Sequence, residues 1–224
     1  EAPTLPARVV LKQFTSNVKQ QGRANSCTGH AAIMVWEMSQ RIAGRKENQD
    51  WVEGSETYAY AEGRKDAKMW PQDEGCYIRN VLRAMHKKGV CPERMNPYND
   101  KDINAKPRPF ADAIAGQFKI KEYTRLNDLF DIKNSLNSNK PVILGTPIYK
   151  DFLSSVASKG MIKIPGEKEH PIGAHAYTVI GYDDDKQALL IRNSWGNWAD
   201  RGDAWLPYEY LKRINWFDAW TMTI

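Results

Sequence analysis

The sequence predicts an α+β fold, with helices filling the first half of the chain and strands the second. Three observations carry this expectation. Apolar residues recur at helical spacing over 31–42 and 78–85, runs of β-branched and aromatic residues take over after position 141, and residues 91–110, with four prolines among polar residues, separate the two. With 224 residues, 42% of them hydrophobic and 11% aromatic, the chain can bury a core sufficient to fold by itself.

Residues 1–17 are punctuated by proline and carry Val9, Val10, Leu11 and Phe14, which reads as an extended strap packing on the β-rich half. A first helix is expected from Cys27 to Gly44 on the stripe Ala31, Ala32, Val35, Met38 and Ile42. Ser55 followed by Glu56 offers an N-cap and a dipole-compensating acid for a second helix through Ala67, packed by Tyr58, Tyr60 and Ala61. A third helix between Tyr77 and Lys88 sets Ile78, Val81, Leu82 and Met85 on one face and Arg79, Arg83 and Lys87 on the other, and Gly89 ends it. Residues 18–110 thus form a helical lobe and residues 111–224 a β-rich one. In the latter a helix is expected over Asn127–Leu136, then strands at Pro141–Ile148, Met161–Ile164, Ala176–Tyr182 and Ala188–Arg192. The last two are joined by a turn at Asp183-Asp184-Asp185-Lys186.

Composition excludes several functions. The net charge is +5, but 32 basic residues are interspersed with 27 acidic ones, which makes a solvated surface and no nucleic-acid face. No apolar run approaches the roughly 20 residues of a membrane span. A chain that opens on Glu1 is expected to derive from a longer precursor, which favours secretion. The three cysteines, Cys27, Cys76 and Cys91, allow at most one disulfide. Cys76 and Cys91 bracket a helix of about a dozen residues, which holds them about 17 Å apart and unpaired.

Cys27 stands at the head of the first helix, where free N–H groups and the helix dipole favour a thiolate. A nucleophile needs a base, and His30, His86, His170 and His175 are available. His30 lies one turn along the same helix, and His86 and His170 sit in solvated surroundings. His175 precedes an apolar strand, a rigid mount, and the following strand leads to Asn193-Ser194-Trp195-Gly196, where an amide could hold the imidazole and a tryptophan shield it.

Gln21-Gly22, Ser26-Cys27, His175-Ala176, Gly181-Tyr182 and Asn193-Ser194-Trp195-Gly196 resemble, in this order, the signature blocks of papain-like cysteine peptidases. The separation of Cys27 and His175, 175 − 27 = 148, lies within the roughly 130 to 150 of that family. Asn193 comes later, at 193 − 27 = 166, which a longer turn in the Asp-rich hairpin would explain. The resemblance implies a helical lobe and a barrel-like β lobe with the active site in the cleft between them. It implies Cys27 as nucleophile, His175 as base, Asn193 as the residue orienting the imidazole, Gln21 as an oxyanion donor, Trp195 as a cover over the His175–Asn193 bond, and Trp198 stacked nearby. By the same resemblance Gly75 and Cys76 pair their backbones with an extended peptide. Tyr77 and Ile78, with Gly173 and Ala174 opposite, would line an apolar pocket for the second residue before the scissile bond. The implied partners are extended polypeptide substrates and a propeptide or inhibitor, with a monomeric enzyme and neither metal nor cofactor.

Departures from the family place the chain nearer its bacterial and viral branch. Ala24 stands where a cysteine usually bridges to the segment after the second helix, so that bridge is ruled out. Thr28 and Gly29 replace a large aromatic and a small residue, and Cys76 replaces a glycine, which would narrow the groove and add a second thiol. The leading expectation is a cysteine endopeptidase. A transferase using the same acyl-enzyme and a silent peptide-binding module are the alternatives, and the second has no use for Cys27, His175, Asn193 and Gln21 together.

Overall fold

The computed structural model describes residues 4–154 and 160–224, so the first three residues of the strap lie outside the described residues. In chain order the elements are β1 (Arg8–Val10), α1 (Cys27–Ile42), α2 (Glu56–Asp66), α3 (Ile78–Lys87), α4 (Ala111–Ala115), β2 (Glu122–Leu126), α5 (Leu129–Asn137), β3 (Val142–Ile148), α6 (Lys150–Leu153), β4 (Gly173–Asp183), β5 (Ala188–Arg192), β6 (Asp203–Pro207), α7 (Tyr208–Arg213) and β7 (Asp218–Thr223). Among the described residues no helix is long and apolar enough to cross a membrane.

Two of the helices begin at a polar side chain that closes the first turn. Ser55 caps α2 by accepting a hydrogen bond from the Tyr58 N–H, and Asp128 does the same for α5 through Asp131. On α3 the stripe Ile78, Val81, Leu82 and Met85 is buried. Helix α1 differs from the one-sided helix expected: twelve of its sixteen residues are buried, His30, Glu37 and Gln40 among them. It lies between two cores, giving Met34 and Met38 to one and Ala31, Ala32, Ile33, Val35 and Trp36 to the other. Gly29 lets α2 approach, since a Cβ there would stand 3.0 Å from the Tyr60 Cβ and 3.1 Å from the Glu56 carbonyl oxygen.

The strands form one antiparallel sheet in the order β2-β7-β3-β4-β5-β6, with β1 added to the end of β4 through Arg8–Asp183, Val9–Tyr182 and Val10–Gly181. Side chains alternate between its faces: Val142 and Leu144 enter one core and Ile143 the other. The sheet corrects three expectations. Among the described residues it is open, with β2 and β6 at its edges, and no barrel closes. Met161–Ile164 is no strand; Met161 makes a single parallel bridge to Trp205, and a run this short gains too few ladder bonds to extend. Strands β2, β6 and β7 lie where periodicity offered nothing. β2 is a charged edge strand, and the other two are short runs that each open on an aspartate.

The stop after α3 is the most constrained turn. Gly89 has φ +100°, and a Cβ there would come within 1.8 Å of the Ala115 carbonyl oxygen. Gly89→Ala is therefore expected to cost at least about 2 kcal/mol, read as a lower urea midpoint at unchanged m-value. A midpoint equal to wild type would refute the steric account.

Candidate active site

The site is assembled from three pieces of chain. Cys27 is the first residue of α1, and its N-cap, Ser26, makes no capping bond. The Ser26 hydroxyl instead meets Tyr98 Oη at 2.8 Å and His30 Nδ1 at 3.2 Å. The N–H groups of the first turn therefore stay free to face the sulfur. His175 lies near the start of β4, paired with Thr146 of β3, and Asn193 follows the last residue of β5. The β4–β5 ladder pairs Thr178 with Arg192, which brings His175 and Asn193 to the same end of neighbouring strands. The later arrival of Asn193 is absorbed by the turn at Asp184–Gln187 and by a bulge between Val179 and Gly181.

His175 Nε2 lies 2.7 Å from Asn193 Oδ1, and the Ser194 N–H donates to the same oxygen at 2.8 Å. With Oδ1 accepting twice, Nε2 carries the proton and Nδ1 keeps its lone pair. Trp195 stacks on the imidazole with ring centroids 4.4 Å apart and planes 26° from parallel. Trp198 contacts Trp195 edge-on at 5.9 Å and stacks on Phe152 at 5.2 Å.

Gln21 is buried beside these groups. Its Oε1 accepts from Ser194 Oγ at 2.8 Å, its Nε2 donates to the Ala24 carbonyl at 2.9 Å, and its backbone N–H donates to the Ser194 carbonyl at 2.8 Å. An amide nitrogen has two protons, so one donor remains for the cavity that Gln21 lines.

That cavity, about 600 Å³, holds Cys27, His175, Gln21 and Trp195 in one lining. Of the expected substrate-contacting residues, Gly75, Cys76, Tyr77, Ile78 and Ala174 line it too. Gly173 does not; it opens β4 opposite Ile148, outside the lining. Gly145, Ile148 and Asp218 join the wall unannounced by any motif, because strand pairing alone brings them there, and Trp216 joins from the segment just before β7. The Cys76 thiol packs inward, 3.5 Å from Thr28 Oγ1, and burial pushes it up to about 11, which makes it a poor nucleophile. All three cysteines are free.

Burial governs the charges. It pushes the Cys27 thiol above its ordinary value, against the N–H groups of Ala176, Thr28 and Cys27 itself. It lowers His175 to about 4, opposed by the Asn193 bond and reinforced by His30. Each group alone is therefore neutral at pH 7. The remaining histidines are occupied otherwise: buried His30 contacts the Ser26 carbonyl through Nδ1 at 3.0 Å, exposed His86 contacts the Ile120 carbonyl at 3.0 Å, and His170 is exposed. Among the described residues no group of three or more His, Cys, Asp or Glu side chains is arranged to hold a metal.

The chain matches the family model described as papain family cysteine protease over residues 5–210. It is 27% identical to an uncharacterised peptidase C1-like protein of Acanthamoeba polyphaga mimivirus, covering 92% of this chain and 69% of that protein. Xylellain, a cysteine protease from Xylella fastidiosa, superposes with a TM-score of 0.89 at 29% identity, over 98% of this chain and 87% of its own. Procathepsin L 3 from the larval midgut of Tenebrio molitor shares the fold, with a TM-score of 0.76 at 16% identity over 100% of this chain and 72% of its own. A viral and a bacterial relative agree with the branch to which Ala24 and Thr28 point. With the family model matched from the strap to α7, the chain belongs to the papain family of cysteine proteases.

Proposed function

We propose that the protein is an endopeptidase that cleaves extended polypeptides through a Cys27-His175-Asn193 acyl-enzyme mechanism and acts as a monomer. The observation that carries this is the double acceptance at Asn193 Oδ1, which leaves His175 Nδ1 as the free ring nitrogen in the cavity that Cys27 lines. Nδ1 takes the thiol proton, and the thiolate sulfur attacks the scissile carbonyl carbon. The oxyanion meets the Cys27 N–H and the second Nε2 proton of Gln21. The C–N bond then breaks as the imidazolium gives its proton to the leaving amine, and water hydrolyses the thioester with His175 again as base. Since burial disfavours either charge alone, thiolate and imidazolium form as a pair. Two unit charges about 4 Å apart attract by about 4 kcal/mol at an effective dielectric of about 20, which is worth about 3 pK units.

The substrate backbone is taken to pair with Cys76. Tyr60 Oη accepts the Gly75 N–H at 3.0 Å, whereas among the described residues none bonds to the Cys76 N–H or carbonyl. Ile78, Ile148 and Ala174 give the pocket an apolar wall, and Asp218 lines it as well. Gly145 pairs with Ala176 on one side and Asp218 on the other, and a Cβ on Gly145 would stand 3.1 Å from Ile78 Cδ1 and 3.8 Å from the Asp218 Cβ. Asp218 thus lies two strands, about 10 Å, from Ala176, with Ile78 Cδ1 over the glycine between them. Its Oδ1 accepts from Arg125 Nη2 at 3.0 Å and Trp220 Nε1 at 2.8 Å, and among the described residues none bonds to its Oδ2. An apolar stem ending in a cation, Lys or Arg, suits that space better than a wholly apolar side chain.

Three outcomes test this reading. Cys27→Ala should abolish cleavage of an unfolded protein, and Gln21→Ala should lower kcat about 10²- to 10³-fold. Iodoacetamide should alkylate wild-type Cys27 well below the ordinary thiol pKa of about 8.5, and His175→Gln should carry the midpoint above it; a wild-type midpoint at the ordinary value would sink the mechanism.

In Cys27→Ala the imidazole loses its partner. Between about pH 6.5 and 4 the unfolded chain then binds a proton that folded His175 refuses, so stability should fall with acidification, by about 3 kcal/mol at pH 4. Urea midpoints of Cys27→Ala against the double variant with His175→Gln isolate this loss, and parallel curves would exclude it.

For peptides differing only at the second residue before the scissile bond, Asp218→Asn should reduce kcat/KM for arginine about tenfold more than for leucine. An unchanged ratio would remove Asp218 from the pocket's specificity.

A further inference from the structure

The nucleophile loop and the substrate strip hang from one carboxylate. Asp73, in the segment between α2 and α3, accepts at Oδ1 from the Asn25 N–H at 3.0 Å and from the Tyr60 hydroxyl at 2.6 Å. The Asn25 side-chain amide donates to the Asp73 carbonyl at 2.7 Å. Tyr60 Oη in turn accepts the Gly75 N–H at 3.0 Å. Asn25 stands two positions before Cys27, and Gly75 one before Cys76, so a single two-residue relay sets the distance between the thiol and the strip.

The relay has rigid backing. Tyr60 is fully buried on α2. One turn along, the buried Arg64 guanidinium lies 4.0 Å from the centre of the Tyr60 ring and 4.9 Å from that of Trp70. Its Nη1 donates to the Pro71 carbonyl at 3.2 Å and the Gln72 carbonyl at 3.1 Å, fixing the irregular segment on its approach to Asp73. The relay also consumes the Gly75 N–H, which leaves Cys76 as the residue with a free backbone edge.

We propose that Asp73, acting through Tyr60, is a positioning residue that holds the Gly75–Cys76 strip in register with Cys27, a polar joint between the two segments that the absent Ala24-position bridge would otherwise connect. The assignment rests on the peptidase reading of the site. Asp73 touches no substrate; its effect is on where the peptide lies, and hence on KM for substrates long enough to reach the strip.

The experiment compares wild type, Tyr60→Phe, Asp73→Asn and Asp73→Ala on two substrates, an ester of a single blocked amino acid and a peptide extending three residues before the scissile bond. Cys27 alkylation by iodoacetamide, which needs no strip, is measured in parallel. Tyr60→Phe should raise KM for the peptide about tenfold more than for the ester, with the alkylation rate at the wild-type value, and Asp73→Ala, which also frees the Asn25 N–H, should raise it at least as far. Asp73→Asn, which keeps an acceptor oxygen, should recover most of the loss. Equal losses on both substrates, or alkylation falling in step, would reduce the joint to general stability and overturn the proposal. Should Asp73→Ala fail to fold, Tyr60→Phe decides alone, since it removes one hydroxyl from a ring that stays packed on Arg64. Wild type that cleaves neither substrate would defeat the peptidase reading, an outcome separate from failure of the joint.

Discussion

The close packing of α1 on β4 is the constraint from which the rest of the site follows. Cys27 begins the helix and His175 lies near the start of the strand, and the two elements meet through Ala31, Ala32 and Ala176, with Thr178 Oγ1 donating to the Ala31 carbonyl at 3.2 Å across the seam. Small side chains permit this approach, since interiors are close-packed and larger residues would force the elements apart. The same approach buries His175 and half-buries Cys27, which drives the imidazole down and the thiol up. Desolvation thereby makes the charge state of each depend on the other, so that the seam sets reactivity as well as geometry.

Ser194 ties the polar parts together. Its N–H donates to Asn193 Oδ1, its hydroxyl to Gln21 Oε1, and its carbonyl accepts the Gln21 N–H. Both amides are oriented by one residue, which turns Asn193 Oδ1 to His175 and leaves one Gln21 Nε2 proton for the cavity. Buried polar groups of this kind specify one arrangement because the flipped amide would leave donors facing donors. Tyr98 extends the wiring, donating to the Gln21 carbonyl at 2.5 Å and meeting Ser26, with the His30 ring edge-on to it at 4.6 Å. His30 belongs to this scaffold, which explains why a histidine one turn from the nucleophile is no rival to His175.

Much of the fold was legible in the sequence where local physics decides. Ser55 lies where a cap is needed, the Ile78–Met85 stripe needs one wet and one dry face, and Gly89 ends α3 at a positive φ. The order of the blocks around Gln21, Cys27, His175 and Asn193 pointed to the family because several motifs in register constrain far more than any one. The stripe Ala31, Ala32, Val35, Met38 and Ile42 predicts a one-sided α1, whereas twelve of its sixteen residues are buried, the polar Glu37 among them. Burial pushes Glu37 up to about 8, and it accepts from Ser16 Oγ at 2.9 Å and Gly54 N at 3.3 Å. Periodicity cannot distinguish a polar residue in water from one satisfied inside.

The sequence by itself determined the family, the helices of the first half, and the residues with chemistry to offer. Only the tertiary structure decided that the sheet stays open, that Gly173 lies off the cavity while Gly145 and Asp218 lie on it, and that Asp73 joins two loops 48 positions apart at Asn25. The reason is one of range. Caps, stops and stripes act within a few residues and leave a pattern in composition, whereas a pocket wall or a polar joint is set by strand register and by the meeting of distant segments, for which a lone glycine or aspartate carries no local mark.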